Sequence, residues 1–362
     1  MNRPILRAIG LMSGTSLDGV DAAWIETDGA RVVCTGGAIT LPYDPALRAG
    51  LRRLLDRAPA GLAADDPALL AATEALTRRH VEAVRAIGEP ADIVGFHGQT
   101  ILHQPRHRRT WQIGDAALLA HETGLAVACD FRLADVAAGG EGAPLAPIYH
   151  QALASGLTRP LAVLNLGGVG NVTYLGADDT LIAFDTGPGN GPLDDWVATR
   201  TGAAFDAGGR IATAGRVDAV VLARLMADPY FARAAPKSLD RLDFAARLAA
   251  SGMAALGTED GAATLVAFTA ASVAASLAHL PATPRRWLVT GGGRHNPAIM
   301  AALAARLGEV APVEAVGWNG DALEAQCFGL LAVRVLAGLP LTFPGTTGVG
   351  APLTGGRIVE PV

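Results

Sequence analysis

The sequence predicts an α/β protein built from two similar halves. Its 362 residues exceed one typical domain and suit two. Short, strongly apolar stretches alternate with longer amphipathic ones, the pattern of strands followed by helices. An apolar strand, a glycine turn with small polar residues and a second strand occur near the start (5–25) and again past the middle (161–175). The two turns differ in sequence, so the repeat is one of design rather than identity.

Composition narrows the function classes. Half the residues are hydrophobic, enough for a large core, and the reading finds no membrane span of about 18–20 apolar residues. Residues 1–7 lead into the first strand with no cleavage site, which predicts a protein without a signal peptide. Cys34, Cys129 and Cys327 stand far apart without a CxxC pair, which predicts a reducing compartment and no metal framework. Net charge is −5 with signs interspersed, no footprint for nucleic acid.

Residues 9–21 read Ile-Gly-Leu-Met-Ser-Gly-Thr-Ser-Leu-Asp-Gly-Val-Asp. Glycines let the backbone turn tightly and let a ligand reach the amides, which form an anion nest. Ser13, Thr15 and Ser16 add donors for phosphate oxygens, and Asp18 or Asp21 can hold Mg²⁺ through water. An ordinary hairpin turn rich in small polar residues is the competing reading. No Gly-Lys-Ser/Thr follows, so this is not a Walker loop.

A further strand is expected at 31–40, then helices at 45–57 and 67–87, the second stopped by Gly88. A buried strand at 91–96 ends in His97-Gly98-Gln99-Thr100. Polar groups past the carboxyl end of such a strand are where open α/β sheets place ligands. Gln99 and Thr100 suit sugar hydroxyls, while His97 and His103 either touch substrate or satisfy loop carbonyls. After a helix at 116–123 and a strand at 127–130, Arg132 is read two ways. It can bind a ligand carboxylate bidentately, or pair with Asp130 or Asp135 across domains. The Gly/Pro-rich stretch 138–147 reads as the crossing between domains.

In the second half, strands at 161–166 and 172–175 flank a turn containing Gly167, Gly168 and Gly170. A third strand at 181–184 ends at Asp185-Thr186-Gly187-Pro188-Gly189-Asn190. Asp185 is placed for general-base work or, alternatively, as a turn or N-cap residue. Helices are expected at 216–228 and 262–280, with Lys237 between them as a phosphate contact or a surface residue. Residues 286–290 form a strand running into Gly291-Gly292-Gly293, with Asn296 and Pro297 opening a helix. That space without side chains suits an adenine or ribose. Glu324 opens the final helix (321–337), where it either serves a site or complements the helix dipole.

Together, residues 9–21, 96–100, 130–145, 165–171, 184–190, 290–297 and 323–328 resemble, in order, the motifs of the anhydro-N-acetylmuramic acid kinase family. The resemblance implies the actin, sugar-kinase and heat-shock-chaperone fold, in which two related α/β domains clasp ATP and close on substrate. The expected division is 1–137 with about 339–362, and 138–338. It implies a cytoplasmic bacterial enzyme of peptidoglycan recycling, usually a homodimer, acting on small molecules with ATP and Mg²⁺, with no nucleic-acid or membrane partner.

By the resemblance, Asp185 is the base and Glu324 the second acidic residue, orienting water or a sugar hydroxyl. Gly14, Thr15, Ser16, Leu17, Asp18, Gly19, Val20 and Asp21, with Gly167, Gly168, Gly291, Gly292 and Gly293, bind ATP. Gln99, Thr100, Asp130 and Arg132 contact the sugar, with Asp185 and Glu324. Glu141 stands where glutamine is expected, and Leu239-Asp240 where small residues are usual. A plain hexose or amino-sugar kinase, and a non-catalytic nucleotide-dependent binding protein, are the alternatives.

Overall fold

Alternation of apolar residues on either side of the first glycine turn folds the opening stretch into an antiparallel hairpin, as expected. The computed structural model describes residues 3–14, 16–239 and 244–362. The strands, in chain order, are β1 Leu6–Ser13, β2 Gly19–Thr27, β3 Val32–Pro42, β4 Ile93–Gln104, β5 Arg109–Ile113 and β6 Ala126–Cys129. They continue with β7 Leu161–Leu166, β8 Val169–Leu175, β9 Leu181–Pro188, β10 Trp287–Thr290, β11 Val310–Pro312 and β12 Arg357–Val359.

The chain divides into two compact units, Met1–Gly156 with Ala322–Val362, and Leu157–Asp321. In the first, the sheet runs β12-β6-β4-β1-β2-β3, with β5 also on β4. Strands β1, β2 and β3 are antiparallel, β4 is parallel to β1, and β6 is parallel to β4. In the second, the sheet runs β11-β10-β7-β8-β9. Here β7, β8 and β9 are antiparallel, β10 is parallel to β7, and β11 is parallel to β10. The same five-strand plan occurs twice, so the duplicated α/β architecture read from the two glycine turns is present. It is the duplicated plan that the family resemblance implies.

In unit 1, helices Pro45–Arg57 and Pro67–Ile87 start where Asp44 and Asp66 accept backbone amides and proline takes the first turn. Gly88, at φ +69°, ends the second. Helix Leu323–Leu336 lies against β1, β2 and β4. The approach is closer than a side chain permits. A Cβ on Gly10 would sit 1.8 Å from the Ala325 carbonyl oxygen, and one on Gly95 2.0 Å from that of Phe328.

This packing moves both expected borders. The units part at 156/157 and 321/322, not at 137/138 and 338/339. The final helix belongs to unit 1 because its buried face covers that sheet. Helix Pro147–Leu153 follows it there, with Tyr149 Oη donating to Gln326 Oε1 at 2.7 Å. The stretch 138–147 is therefore no crossing. Its Gly142 N–H donates to Asp135 Oδ1 and its Glu141 N–H to the Thr347 carbonyl, all within unit 1.

Two strands outrun their expected ends. β4 continues past 96 to Gln104 because Gly98, at φ +70°, bends it while β5 keeps pairing with it. β9 continues past 184 to Pro188 along β8. The helix expected at 216–228 is shorter, Ala219–Met226, opened by the Asp218 cap.

In unit 2, helix Thr258–Ala275 is apolar all round. With its 3₁₀ extension to His279, mean hydropathy 1.7, it meets the length and composition of a membrane span, which corrects the expectation that no run does. It is a core helix here, 72% buried over its most apolar window. Helices Gly191–Thr201, Ala219–Met226 and Pro297–Leu307, with β9, cover it.

Gly10→Ala should destabilise the protein by at least about 1–3 kcal/mol, because Cβ meets backbone that cannot swing away. Thermal unfolding checks this. An unchanged melting temperature would show that the helix has room to lift off the sheet.

Candidate active site

In unit 1, the β1–β2 connection is a tight turn in which Leu17 N–H donates to the Gly14 carbonyl at 3.1 Å. Leu17 takes φ +58°, in the left-handed region, and buries its side chain completely. Gly19 and Val20 are buried within β2, which is paired on both sides. Gly19 is required there, since a Cβ would lie 2.3 Å from the Leu41 carbonyl oxygen. Leu17, Gly19 and Val20 thus form the base of the turn. Ser16 and Asp18 are exposed, and Gly14 and Asp21 half-buried. Thr15 lies outside the described residues. Ser13 faces inward and donates to the Gly98 carbonyl.

Asp18 pairs loosely with Arg48, 3.5 Å away. Asp21 accepts from Thr40 Oγ1 at 2.6 Å. Glu324, in the first turn of helix Leu323–Leu336, reaches solvent, yet the surrounding protein raises its pKa. Burial is the leading cause, the negative charge of Asp21 adds to it, and Arg132 opposes it. Two mutually sensed carboxylates are a donor set that suits a divalent cation. Among the described residues, no group of three or more acids, histidines or cysteines gathers at one point.

Arg132 pairs with neither of its acidic neighbours. Asp130, at φ +62°, gives its carboxylate to Arg357 of β12 at 2.5 Å. Asp135 accepts from Gly142 N–H and Thr347 Oγ1. No ion pair forms between Arg132 and either acid, so the salt-bridge alternative falls. The guanidinium instead donates from Nε to His97 Nε2 (3.0 Å) and from Nη1 to the Gly142 carbonyl (2.6 Å). His97 Nδ1 lies 2.7 Å from the Gly98 carbonyl, which fixes the tautomer that accepts from Arg132. Burial first, then the positive Arg132, pushes the His97 pKa well down, so the ring stays neutral.

Gln99 is fully buried, with Oε1 unpartnered among the described residues. Thr100 Oγ1 accepts from Gln112. His103 holds Thr110 and the Glu141 carbonyl. The departure at Glu141 therefore leaves intact a backbone contact that any residue provides.

In unit 2, Asp185 sits inside β9 opposite Asn171, not at a strand end. Its N–H donates to the Lys237 carbonyl at 3.0 Å, and its Oδ2 accepts the Leu239 N–H at 2.8 Å. Tyr230 Oη donates to its carbonyl at 2.5 Å. The N-cap alternative fails, because helix Gly191–Thr201 begins after Asn190. Asp240 lies outside the described residues.

The turn at Gly167–Gly168 is braced by the next glycine run, since Gly189 and Asn190 N–H groups donate to the Gly168 and Gly167 carbonyls. The triple glycine answers largely to packing. A Cβ on Gly291 would lie 2.3 Å from Asn165 Oδ1, and one on Gly293 2.7 Å from Leu166 Cβ. The space read as a ligand seat at those two positions is filled by β7. Gly292 alone opens outward, onto a cavity of about 450 Å³. Gly293, Asn190, Asp194, Phe205 and His295 are among the residues of its wall. Sequence reasoning missed the last four. The signal was present in Asn190, inside a quoted motif, but Phe205 gave none. Asn190 Nδ2 donates to Asp194, while its buried Oδ1 has no partner among the described residues. An aromatic side chain 60% exposed at the wall and an orphaned acceptor suit a purine nucleoside.

The duplicated sheets and the glycine turn at the first hairpin of each give the two-unit α/β architecture expected of a kinase of this kind, and the cavity suits a nucleoside. The family model for anhydro-N-acetylmuramic acid kinase matches residues 6–361. Anhydro-N-acetylmuramic acid kinase of Acidiphilium cryptum is 67% identical over 357 residues, covering 98% of this chain and 99% of that protein. The proteins of that name from Gluconobacter oxydans (56% identical, 97% and 99% covered) and Rhodospirillum rubrum (58%, 96% and 93%) agree. The chain belongs to the anhydro-N-acetylmuramic acid kinase family.

Asn190→Ala should weaken nucleotide binding about 10-fold, the loss of one buried hydrogen bond of about 1–1.5 kcal/mol. Calorimetric titration with ATP reads it. Unchanged affinity would place the nucleoside elsewhere.

Proposed function

We propose that this chain catalyses ATP + 1,6-anhydro-N-acetylmuramic acid + water → ADP + N-acetylmuramic acid 6-phosphate, in the recycling of peptidoglycan. Water adds to the anomeric carbon, the C1–O6 bond breaks, and O6 takes the γ-phosphoryl group. The proton lost by water goes to a carboxylate. The observation that carries the reading is the family match over residues 6–361 together with an acid held on β9 by backbone on two sides.

Asp185 is the base. Its Oδ2 accepts the Leu239 N–H, which limits rotation of the carboxylate. A positioned base contributes about 10²–10⁴ in rate. Glu324 orients the water or a sugar hydroxyl. Gln99 and Thr100 take sugar hydroxyls, with the orphaned Gln99 Oε1 as acceptor. Arg132, held by the neutral His97 and the Gly142 carbonyl, takes the lactyl carboxylate. Asp130, locked to Arg357, supports that loop rather than the sugar.

Gly14, Ser16, the turn around Asp18 and Gly167–Gly168 receive the phosphates. The cavity at Gly292 seats adenosine. Asp21 holds Mg²⁺ through water, with Asp18 engaged by Arg48. Bound there, the ion neutralises charge on the β- and γ-phosphates. The protein acts as a cytoplasmic homodimer.

Asp185→Asn should cost about 10² or more in kcat while ATP still binds. Products are read by mass spectrometry with the anhydro sugar as substrate. Full activity in the variant would remove Asp185 as base, and turnover of an ordinary amino sugar instead of the anhydro sugar would identify a plain kinase. Activity should also fall on the acid side at a higher pH than an ordinary glutamate gives, because Glu324 must ionise and its pKa is raised. A pH–rate profile of Glu324→Gln should lose that limb.

A further inference from the structure

Unit 2 buries a lysine that the reaction above does not use. Lys237 is only 6% exposed. Its Nζ lies 3.0 Å from the Tyr230 carbonyl oxygen, 3.3 Å from that of Phe231 and 3.2 Å from His279 Nε2. The Tyr230 ring lies 4.6 Å from it and the Phe184 ring 5.7 Å. No carboxylate among the described residues pairs with it. Arg233 and, across the 3₁₀ turn Ser276–His279, the imidazole of His279 face it. Burying an ammonium is costly unless hydrogen bonds compensate it.

It organises the surroundings of Asp185. The residues it grips, Tyr230 and Phe231, form the 3₁₀ turn whose Tyr230 Oη donates to the Asp185 carbonyl. Its own carbonyl receives the Asp185 N–H, and two residues on, the Leu239 N–H holds Asp185 Oδ2. Three polar contacts of Asp185 outside the sheet ladder thus come from the two segments that Lys237 ties together.

We propose that Lys237 is a positioning residue for the base: its ammonium clamps the 229–232 turn to the 237–239 strap, and the two hold the Asp185 carboxylate in its working orientation. This rests on Asp185 being the base.

A consequence separates the clamp from a merely structural lysine. Burial, with Arg233 adding to it, brings the Lys237 pKa down to about 8. The folded value lies below the ordinary 10.5, so the unfolded chain binds more protons between the two. The contribution of Lys237 to stability therefore rises as pH passes from about 8 upward. The clamp weakens over the same range, because a neutral amine holds two carbonyls less strongly than an ammonium. Stability and turnover should move in opposite directions.

The test measures kcat, KM and melting temperature from pH 6.5 to 9.5 for wild type, Lys237→Met and Asp185→Asn, with ATP, Mg²⁺ and the anhydro sugar. Wild-type kcat should fall with an apparent pKa near 8 while the contribution of Lys237 to the melting temperature, wild type against Lys237→Met, rises. Lys237→Met should lose about 10- to 100-fold in kcat, the scale of a misplaced catalytic group, with little change in KM and without that alkaline limb. Lys237→Arg, charged throughout, should recover part of the rate and also lack the limb. Wild-type kcat in Lys237→Met, or an unaltered limb in both variants, would overturn the clamp while leaving the base in place. Full activity in Asp185→Asn would overturn the base reading and the clamp with it. If Lys237→Met does not fold, a wild-type and Lys237→Arg pair with identical alkaline limbs still overturns the proposal.

Discussion

The architecture of unit 1 depends on a contact between bare backbones. Gly10 on β1 and Gly95 on β4 let helix Leu323–Leu336 settle onto the sheet until its carbonyls touch the strands. Gly329 on the helix side faces Gly10 in turn, a Cβ there falling 3.3 Å from the Gly10 nitrogen. Dispersion falls steeply with separation, so such an approach gives dense packing without side chains. It also fixes the height and rotation of the helix. Glu324 at its start is thereby placed near Asp21 and Arg132, and its raised pKa follows from that placement. The final helix, late in the sequence, is built into the first unit for this reason.

Much of the plan was legible because local rules and tertiary structure agreed. Asp44–Pro45 and Asp66–Pro67 open helices, Gly88 closes one, and Asn296–Pro297 opens another. The two hairpins were legible as strand, glycine turn, strand. Strand ends were not, because β4 and β9 are carried on by pairing with β5 and β8, which no local pattern encodes. Domain borders failed for a similar reason. The small residues of the final helix look unremarkable until Gly10 and Gly95 are seen beneath them.

Glycine misled where it was most abundant. Gly291 and Gly293 make room for β7, and only Gly292 opens to the cavity. Arg132 was legible as a cation of interest but not in its support, since its partner is a neutral histidine 35 positions away. Lys237 was read as a surface or phosphate residue and is buried, because its partners are carbonyls and rings that carry no sequence signal.

The central claim is that water, not a sugar hydroxyl, is the nucleophile at carbon and that the freed O6 takes the phosphoryl group. Turnover in ¹⁸O-water, with products read by mass spectrometry before the anomeric oxygen exchanges, tests it most directly. The account predicts one ¹⁸O on C1 of the 6-phosphosugar and none in the phosphoryl group. Label in inorganic phosphate with the anhydro ring intact, or an unlabelled phosphosugar, would contradict it.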